Sequence, residues 1–373
     1  MYMYDQLRED TLFYMFYAAV TMLSLTASCY LLFRRANVIA PDVTPPVRLR
    51  RWTAAFFAAS ALSHLWNLPF FFLTSDDHVM LSYLVGGLLD CMTVGPLAIV
   101  ILFTMLQDRR RPLWPVAMMV VPFVVIITMC IVTRSKVFFP ILYAYFILLA
   151  IGLILYMVRA LRQYERWLRE NYADLEHKEV WQSFLVFAII MSGLCIYTFD
   201  VEGLTYEYIV QVINVVLICY LLWRVETLSD LNAPLADAVE ETVTTEHEKD
   251  TNTLTMRNNI GPLLKQYCED PQVYLQYDIS LSQLAKQIGI NRSYLSKHFS
   301  LQGITYNTYI NGLRIQHFIN LYNEAVATHQ LISVQQLACQ SGFRSYSTFN
   351  AAFKKSMGMT ATEWMRNMGT SES

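Results

Sequence analysis

The sequence predicts an all-α protein in two unlike parts, a bundle of seven membrane-spanning helices followed by a domain built on two helix-turn-helix units. Three observations carry this prediction. Seven long apolar stretches fill residues 1–224. Near the end a cassette recurs, Ser280-Leu281-x-x-Leu284-Ala285-x-x-x-Gly289-Ile290 returning 53 residues later as Ser333-Val334-x-x-Leu337-Ala338-x-x-x-Gly342-Phe343. Charge separates the parts: residues 225–253 hold eight acids against Lys249, and residues 254–373 hold ten Lys/Arg against six Asp/Glu. The expected organisation is a transmembrane sensor or anchor over 1–224, an acidic flexible linker over 225–253 and a basic domain over 254–373.

The candidate spans are 11–33, 52–73, 79–106, 112–133, 137–158, 181–199 and 206–223. Each is near the ~20 apolar residues that cross a bilayer. The first is too long, and its flank too acidic, for a signal peptide. Seven spans with a cytoplasmic C-terminus put the N-terminus outside. Basic residues test this independently. Fourteen Lys/Arg fall in the segments then predicted inside and three, Arg8, Arg134 and Lys136, in those predicted outside. The asymmetry matches the positive-inside rule. The outside loops are too short to form a domain.

Polar residues interrupt the spans. His64, Asn67, Gln211 and Asn214 read first as hydrogen-bonding glue between helices. Asp90, with His64, is the candidate signal-sensing pair, because an intramembrane carboxylate is functional by default. Pro69, Pro96 and Pro122 can kink their helices. Leu161–Val180 has two readings, an amphipathic helix near the headgroups and a solvated connector. The linker reads as a solvated tether in which Leu228, Leu231, Leu235, Val239 and Val243 make an interrupted helical seam. The seven cysteines have neither disulfide nor zinc spacing, so no metal and no cofactor are expected. No phosphate-cradling Gly loop and no nucleophile constellation occurs, so an enzyme is not expected.

In the basic part, Ser280 with Gln283 and Ser333 with Gln336 are capping-box signatures. Gly289 and Gly342 stand where the chain turns sharply after a helix, and Asn291 and Ser345 are good N-caps for the helices that follow. Leu295 with Phe299, and Phe349 with Phe353, face the core at i, i+4. The opposite faces carry Arg292, Ser293, Ser296 and Lys297 in the first unit and Tyr346, Ser347, Asn350, Ala351 and Lys354 in the second. Such side chains suit base edges and phosphates of double-stranded DNA. Lys355 closes the second helix beside the backbone. Thr305–Asn323 reads as one connecting helix of about 28 Å at 1.5 Å per residue, near the ~34 Å between successive major-groove faces.

The stretch 281–289, Tyr294-Leu295-Ser296-Lys297 with Phe299, Tyr309-Ile310-Asn311 with Arg314-Ile315, and Ser341 to Asn350 with Phe353-Lys354-Lys355 and Gly358-Met359-Thr360 resembles the DNA-binding domain of the AraC/XylS transcription regulators. The likeness covers about residues 260–367. It implies seven helices, two of them recognition helices, and activation or repression of promoters with RNA polymerase as a partner. Matched positions imply Ser293, Ser296 and Lys297 as one base-facing set and Tyr346, Ser347, Asn350 and Ala351 as the other, with Arg344 just before it. Ala351 stands where a basic residue is frequent, and Ala361 where proline is usual. The family's sugar-binding β-domain is missing and the membrane bundle takes its place.

The expectation is therefore a one-component transcription regulator in the bacterial cytoplasmic membrane, with promoter DNA, the lipid bilayer, an unknown ligand or membrane partner and, through the linker seam, a second copy of itself as partners. The competing class is a transporter or membrane enzyme with a regulatory DNA-binding appendage. The spans show no duplicated halves to favour it.

Overall fold

The computed structural model of the chain describes residues 10–34, 37–41, 43–135, 137–197, 204–231, 260–329 and 333–370. Among these, regular structure is helical apart from a single isolated β-bridge between Tyr172 and Ser280. The chain divides into two compact units. One holds residues 1–164 and 177–233, the other residues 165–176 and 234–373.

The first unit contains α1 (Thr11–Phe33), α2 (Val47–Asn67), α3 (Asp76–Met92), α4 (Val94–Met105), α5 (Trp114–Thr133), most of α6 (Phe139–Asn171), α7 (Trp181–Tyr197) and α8 (Leu204–Thr227). Asp10 caps α1 by accepting from the amides of Leu12 and Phe13 at 3.0 and 3.1 Å. Each predicted proline break takes its own form. Pro69 has no N–H to give Leu65, whose carbonyl accepts from Leu68 instead, and α2 tightens into a 3-10 turn over Leu68–Phe71. Pro96 likewise has none for Met92, so the predicted third span splits at Thr93 into α3 and α4. Pro122 stays inside α5.

Five helical stretches among the described residues are long and apolar enough to cross a membrane: Thr11–Phe33, Asp77–Met105, Trp114–Thr133, Phe139–Asn171 and Glu207–Thr227. The apolar pattern of the sequence predicts seven spans. The other two expected segments form helices that fall short for different reasons. α2 opens on Arg48, Arg50 and Arg51, and α7 has only 17 residues.

The end of α8 is not a free tether. Leu228 and Leu231 are buried. Ser229 donates its amide to His177 O at 2.9 Å, Asp230 to Thr44 O at 2.9 Å and Leu231 to Gln107 Oε1 at 2.8 Å. Backbone donors and acceptors of 229–231 are consumed by three loops of the same unit, so the solvated linker expected from 225 cannot begin before 232. Leu235, Val239 and Val243 of the expected seam lie outside the described residues.

The second unit holds seven α-helices among the described residues: α9 (Ile260–Leu264), which runs into a π-turn over Lys265–Glu269, α10 (Leu281–Ile288), α11 (Arg292–Leu301), α12 (Tyr306–Ala327), α13 (Val334–Gln340), α14 (Tyr346–Met357) and α15 (Ala361–Thr370). Two apolar cores flank α12. The first gathers Leu281, Leu284, Ala285, Ile288, Leu295, Phe299, Tyr306 and Ile310. The second gathers Ile315, Phe318, Leu337, Ala338, Phe343, Phe349, Phe353 and Trp364. Between them sits Arg314, 1% exposed. Its Nε donates to Tyr274 O and its Nη2 to Gln276 O, both at 2.7 Å, and its guanidinium carbon lies 5.6 Å from the centre of the Phe343 ring. Burial lowers the pKa of this guanidinium, and the charge of Asp174 opposes the shift. Burial also pushes the Cys268 thiol up to about 12, which makes it an inert core group.

The two repeat glycines, equivalent in sequence, are unequal in structure. Gly289 has φ 77° and open space around the position of a Cβ. Gly342 has φ 87°, and a Cβ there meets Leu275 Cα at 2.7 Å and Leu275 O at 3.0 Å. Gly289→Ala is expected to cost about 1–2 kcal/mol, the left-handed penalty alone. Gly342→Ala adds a backbone clash in a packed seam, so its thermal unfolding transition should fall clearly further. Equal losses in a melting comparison contradict the seam packing. Arg314→Met should cost about 3–5 kcal/mol, because it leaves the carbonyls of Tyr274, Gln276 and Tyr277 without this donor in a buried seam. A denaturant midpoint close to wild type contradicts that assignment.

Candidate nucleic-acid interface

Local chemistry positions both predicted recognition helices. Each unit opens on a complete capping box, in which the Ser280 or Ser333 hydroxyl accepts from the amide three residues on while the Gln283 or Gln336 side chain accepts from the serine amide. The turn glycines close α10 and α13. Asn291 Oδ1 then accepts from Ser293 N at 2.9 Å, and Ser345 Oγ from Thr348 N at 3.3 Å, so α11 and α14 start at fixed points. Leu295, Phe299, Phe349 and Phe353 are buried. Their burial turns the opposite faces of α11 and α14 outward.

On α11, Ser293 and Lys297 are exposed and Ser296 is half-buried. On α14, Tyr346, Ser347, Ala351, Lys354 and Lys355 are exposed. Arg344 precedes α14 and pairs with Asp278 at 3.4 Å. Asn350 is half-buried, and its Oδ1 is buried with no hydrogen-bond partner among the described residues. A base contact by this amide therefore needs the side chain to swing outward, which the i, i+4 spacing alone does not reveal. Arg292, at the first turn of α11, is engaged within its own unit: Asn171 Oδ1 accepts from its Nε at 3.0 Å and from its Nη2.

α12 has 22 residues, three more than the sequence span suggests, and is about 33 Å long at 1.5 Å per residue. The helix runs on through Glu324–Ala327 because Ala325 is buried. A third capping box escaped the sequence reading. Thr360 Oγ1 accepts from Glu363 N at 3.3 Å, and Glu363 Oε2 accepts from Thr360 N at 2.8 Å. That backbone N–H holds the Glu363 carboxyl below the usual carboxylate range. The signal was present as Thr-x-x-Glu just before α15.

In the first unit, the two candidate sensing residues keep separate company. His64 is buried, with Nδ1 2.8 Å from Ser60 O and Nε2 2.9 Å from Gln211 Oε1. A carbonyl only accepts, so Nδ1 carries the proton. Tyr17 Oη donates to His64 O at 2.7 Å. Asp90 accepts from Trp66 Nε1 at 3.1 Å and Asn67 Nδ2 at 3.0 Å. α3 can come this close because residue 86 is glycine: a Cβ there falls 2.0 Å from Asn67 Oδ1.

Comparison with known proteins agrees with this geometry in the C-terminal part. Residues 284–367 match the family described as "Helix-turn-helix domain". An uncharacterized HTH-type transcriptional regulator of Staphylococcus aureus strain COL is 29% identical over 92 residues, 24% of this chain and 12% of that protein. The TCP pilus virulence regulatory protein of a classical Vibrio cholerae O1 strain is 25% identical over 122 residues, 32% of this chain and 41% of that protein. The chain thus spans about an eighth of the length of the staphylococcal relatives. No solved structure matches it significantly. The family match lies within the second unit, and the similarity supports a DNA-binding transcription regulator.

Proposed function

We propose that the chain is a membrane-bound one-component transcription regulator of the AraC/XylS type, with residues 1–224 as the membrane part and residues 254–373 as the promoter-binding part. The observation that carries this is the pair of capped helix-turn-helix units whose second helices present Ser293, Lys297, Tyr346, Ser347, Lys354 and Lys355 to solvent. The ~33 Å of α12 is near the ~34 Å spacing of major-groove faces one turn apart. In this reading α11 and α14 enter successive grooves, the small polar groups meet base edges, and the lysines meet phosphates.

The membrane reading is supported by what the apolar helices leave uncovered. On α6, Leu148 is 69% exposed, Ile151 52% and Leu155 54%. Side chains of this kind in water cost about 25 cal/mol per Å² of apolar surface; acyl chains remove that cost. Seven crossings remain our count. The charge-free part of α2 begins at Trp52 and the 3-10 turn extends it to Phe71, while α7 is about 26 Å long at 1.5 Å per residue and suits a thinned bilayer. The N-terminus is then outside and the C-terminus cytoplasmic. Asp90, together with His64 of α2, is the proposed sensing pair, since the Asp90 carboxylate is held by two neutral donors that a signal can rearrange.

Topology reporters fused at Asp77 and Arg110 are expected to lie on opposite sides of the membrane. The same side for both removes the seven-span arrangement. For DNA, Lys355→Ala should weaken binding to all sequences alike and lower the salt slope by about one unit, because one counterion fewer is released. Asn350→Ala should relax preference at one or two base pairs, a loss of about 1–3 kcal/mol of discrimination. Binding-site selection on both variants checks this. A full wild-type motif from Asn350→Ala, or an altered motif from Lys355→Ala, takes α14 out of the groove.

A further inference from the structure

Residues Asn171–Glu176, which begin at the last residue of α6, lie along the DNA-reading unit as a short strap. They belong to that unit by their contacts. Ala173 is 1% exposed and is part of the first core, beside Ile279 and Tyr306. Its amide donates to Ile279 O at 3.3 Å. Asn307, in the first turn of α12, donates from Nδ2 to Ala173 O at 2.6 Å and to Tyr172 O at 3.3 Å. At one end of the strap Asn171 Oδ1 takes both Nε and Nη2 of Arg292. At the other, Glu176 Oε2 accepts from Thr348 Oγ1 at 3.2 Å. Arg292 and Thr348 stand in the first turns of α11 and α14, the two helices assigned above to successive grooves.

This arrangement is chemically lopsided. The Arg292 guanidinium is held by a neutral amide oxygen, which satisfies two donors without neutralising the charge. A phosphate oxygen does both, and forms the stronger charge-assisted bond. Glu176 carries a carboxylate to the first turn of α14, where a phosphate approaching that helix meets like charge. The main-chain contacts and Ala173 fix the strap in place, with one end on Arg292 and the other bringing a carboxylate to the first turn of α14.

We propose that the face made by Ile279, Ser280, Arg292, Asn307 and Thr348 is a docking site for the strap Asn171–Glu176 of this same chain, and that the docked strap competes with DNA for Arg292. The proposal rests on the reading of α11 and α14 as DNA-contacting helices. It makes the strap an internal competitor, weak enough at Arg292 for a phosphate to displace it and strong enough to lower affinity when no signal acts.

The test is quantitative DNA binding by the full-length protein in lipid nanodiscs, on a site obtained by selection with the wild type, with a melting curve for each variant as folding control. Asn171→Ala removes the acceptor on Arg292 and should strengthen binding about ten-fold, the effect of losing one charge-assisted bond of about 1.5 kcal/mol. Asn171→Asp converts the contact to an ion pair and should weaken binding by a similar factor. Opposite signs from one position are the expected result; a purely structural role of Asn171 weakens binding in both variants, and no change in either also overturns the proposal. Arg292→Ala separates the two layers. If it weakens binding while Asn171→Ala fails to strengthen it, the strap proposal falls and the groove assignment of α11 stands. If Arg292→Ala leaves affinity unchanged, the contact assigned to Arg292, and with it the competition, is wrong.

Discussion

The reader depends on one buried cation. Arg314 sits on α12 where the first core has ended at Ile310 and the second begins at Ile315. Its donors tie the loop Tyr274–Gln276 to the connecting helix, and its flat face meets Phe343 of the second unit. Gly342, next to Phe343, packs against Leu275 of that same loop. Three backbone elements thus meet within a few ångströms: the loop before the first helix-turn-helix, the connecting helix, and the turn of the second. An apolar side chain fills such a seam but cannot serve two carbonyls at once. A lysine brings one point charge in place of a planar fork. The distance and angle between α11 and α14, and hence any match to successive grooves, are set here and not by the length of α12 alone.

Much of the reader was legible because its signals are local. A capping box, a left-handed turn residue and an i, i+4 apolar pair each act within five residues, and each recurs at its repeat position. Arg314 was legible only as one residue of a family likeness, since nothing near it in sequence announces the loop carbonyls it serves 40 residues earlier. The strap was missed for a related reason. Trp167, Tyr172 and Leu175 among arginines and glutamates resemble a headgroup-facing helix, and a partner more than 100 residues away has no sequence signature. The membrane part was legible in placement but not in number. Apolar runs locate helices well, yet three arginines at the head of α2 and 17 residues in α7 leave crossing to be decided by energies that a pattern does not contain. A kink was legible at Pro96, but the break at Thr93 that splits the span into α3 and α4 needed the structure.

The sensing candidates show the same limit from the other side. Sequence marked Asp90 and His64 as costly in lipid, and the structure gives each its own satisfied neighbours: Trp66 and Asn67 for the carboxylate, Ser60 and Gln211 for the imidazole. Satisfied groups of this kind stabilise helix packing by modest amounts, about 1 kcal/mol each. What distinguishes Asp90 is the chemistry of its partners. Both donors are neutral, so its charge is solvated but not compensated, and Gly86 is what lets Asn67 approach α3 at all.

Chain connectivity gives the strap its significance. The polypeptide enters the second unit twice, once for residues 165–176 and again from 234 onward. The first visit is short, but it is flanked by Tyr164, whose hydroxyl donates to Lys178 O at 3.0 Å, and by His177, whose carbonyl accepts from Ser229. The chain is therefore tied at Tyr164, seven residues before Asn171, and at His177, directly after Glu176. A segment pinned at both ends loses little further entropy on docking, so a handful of hydrogen bonds suffices to hold it. The same pinning limits how far it can travel when it lets go.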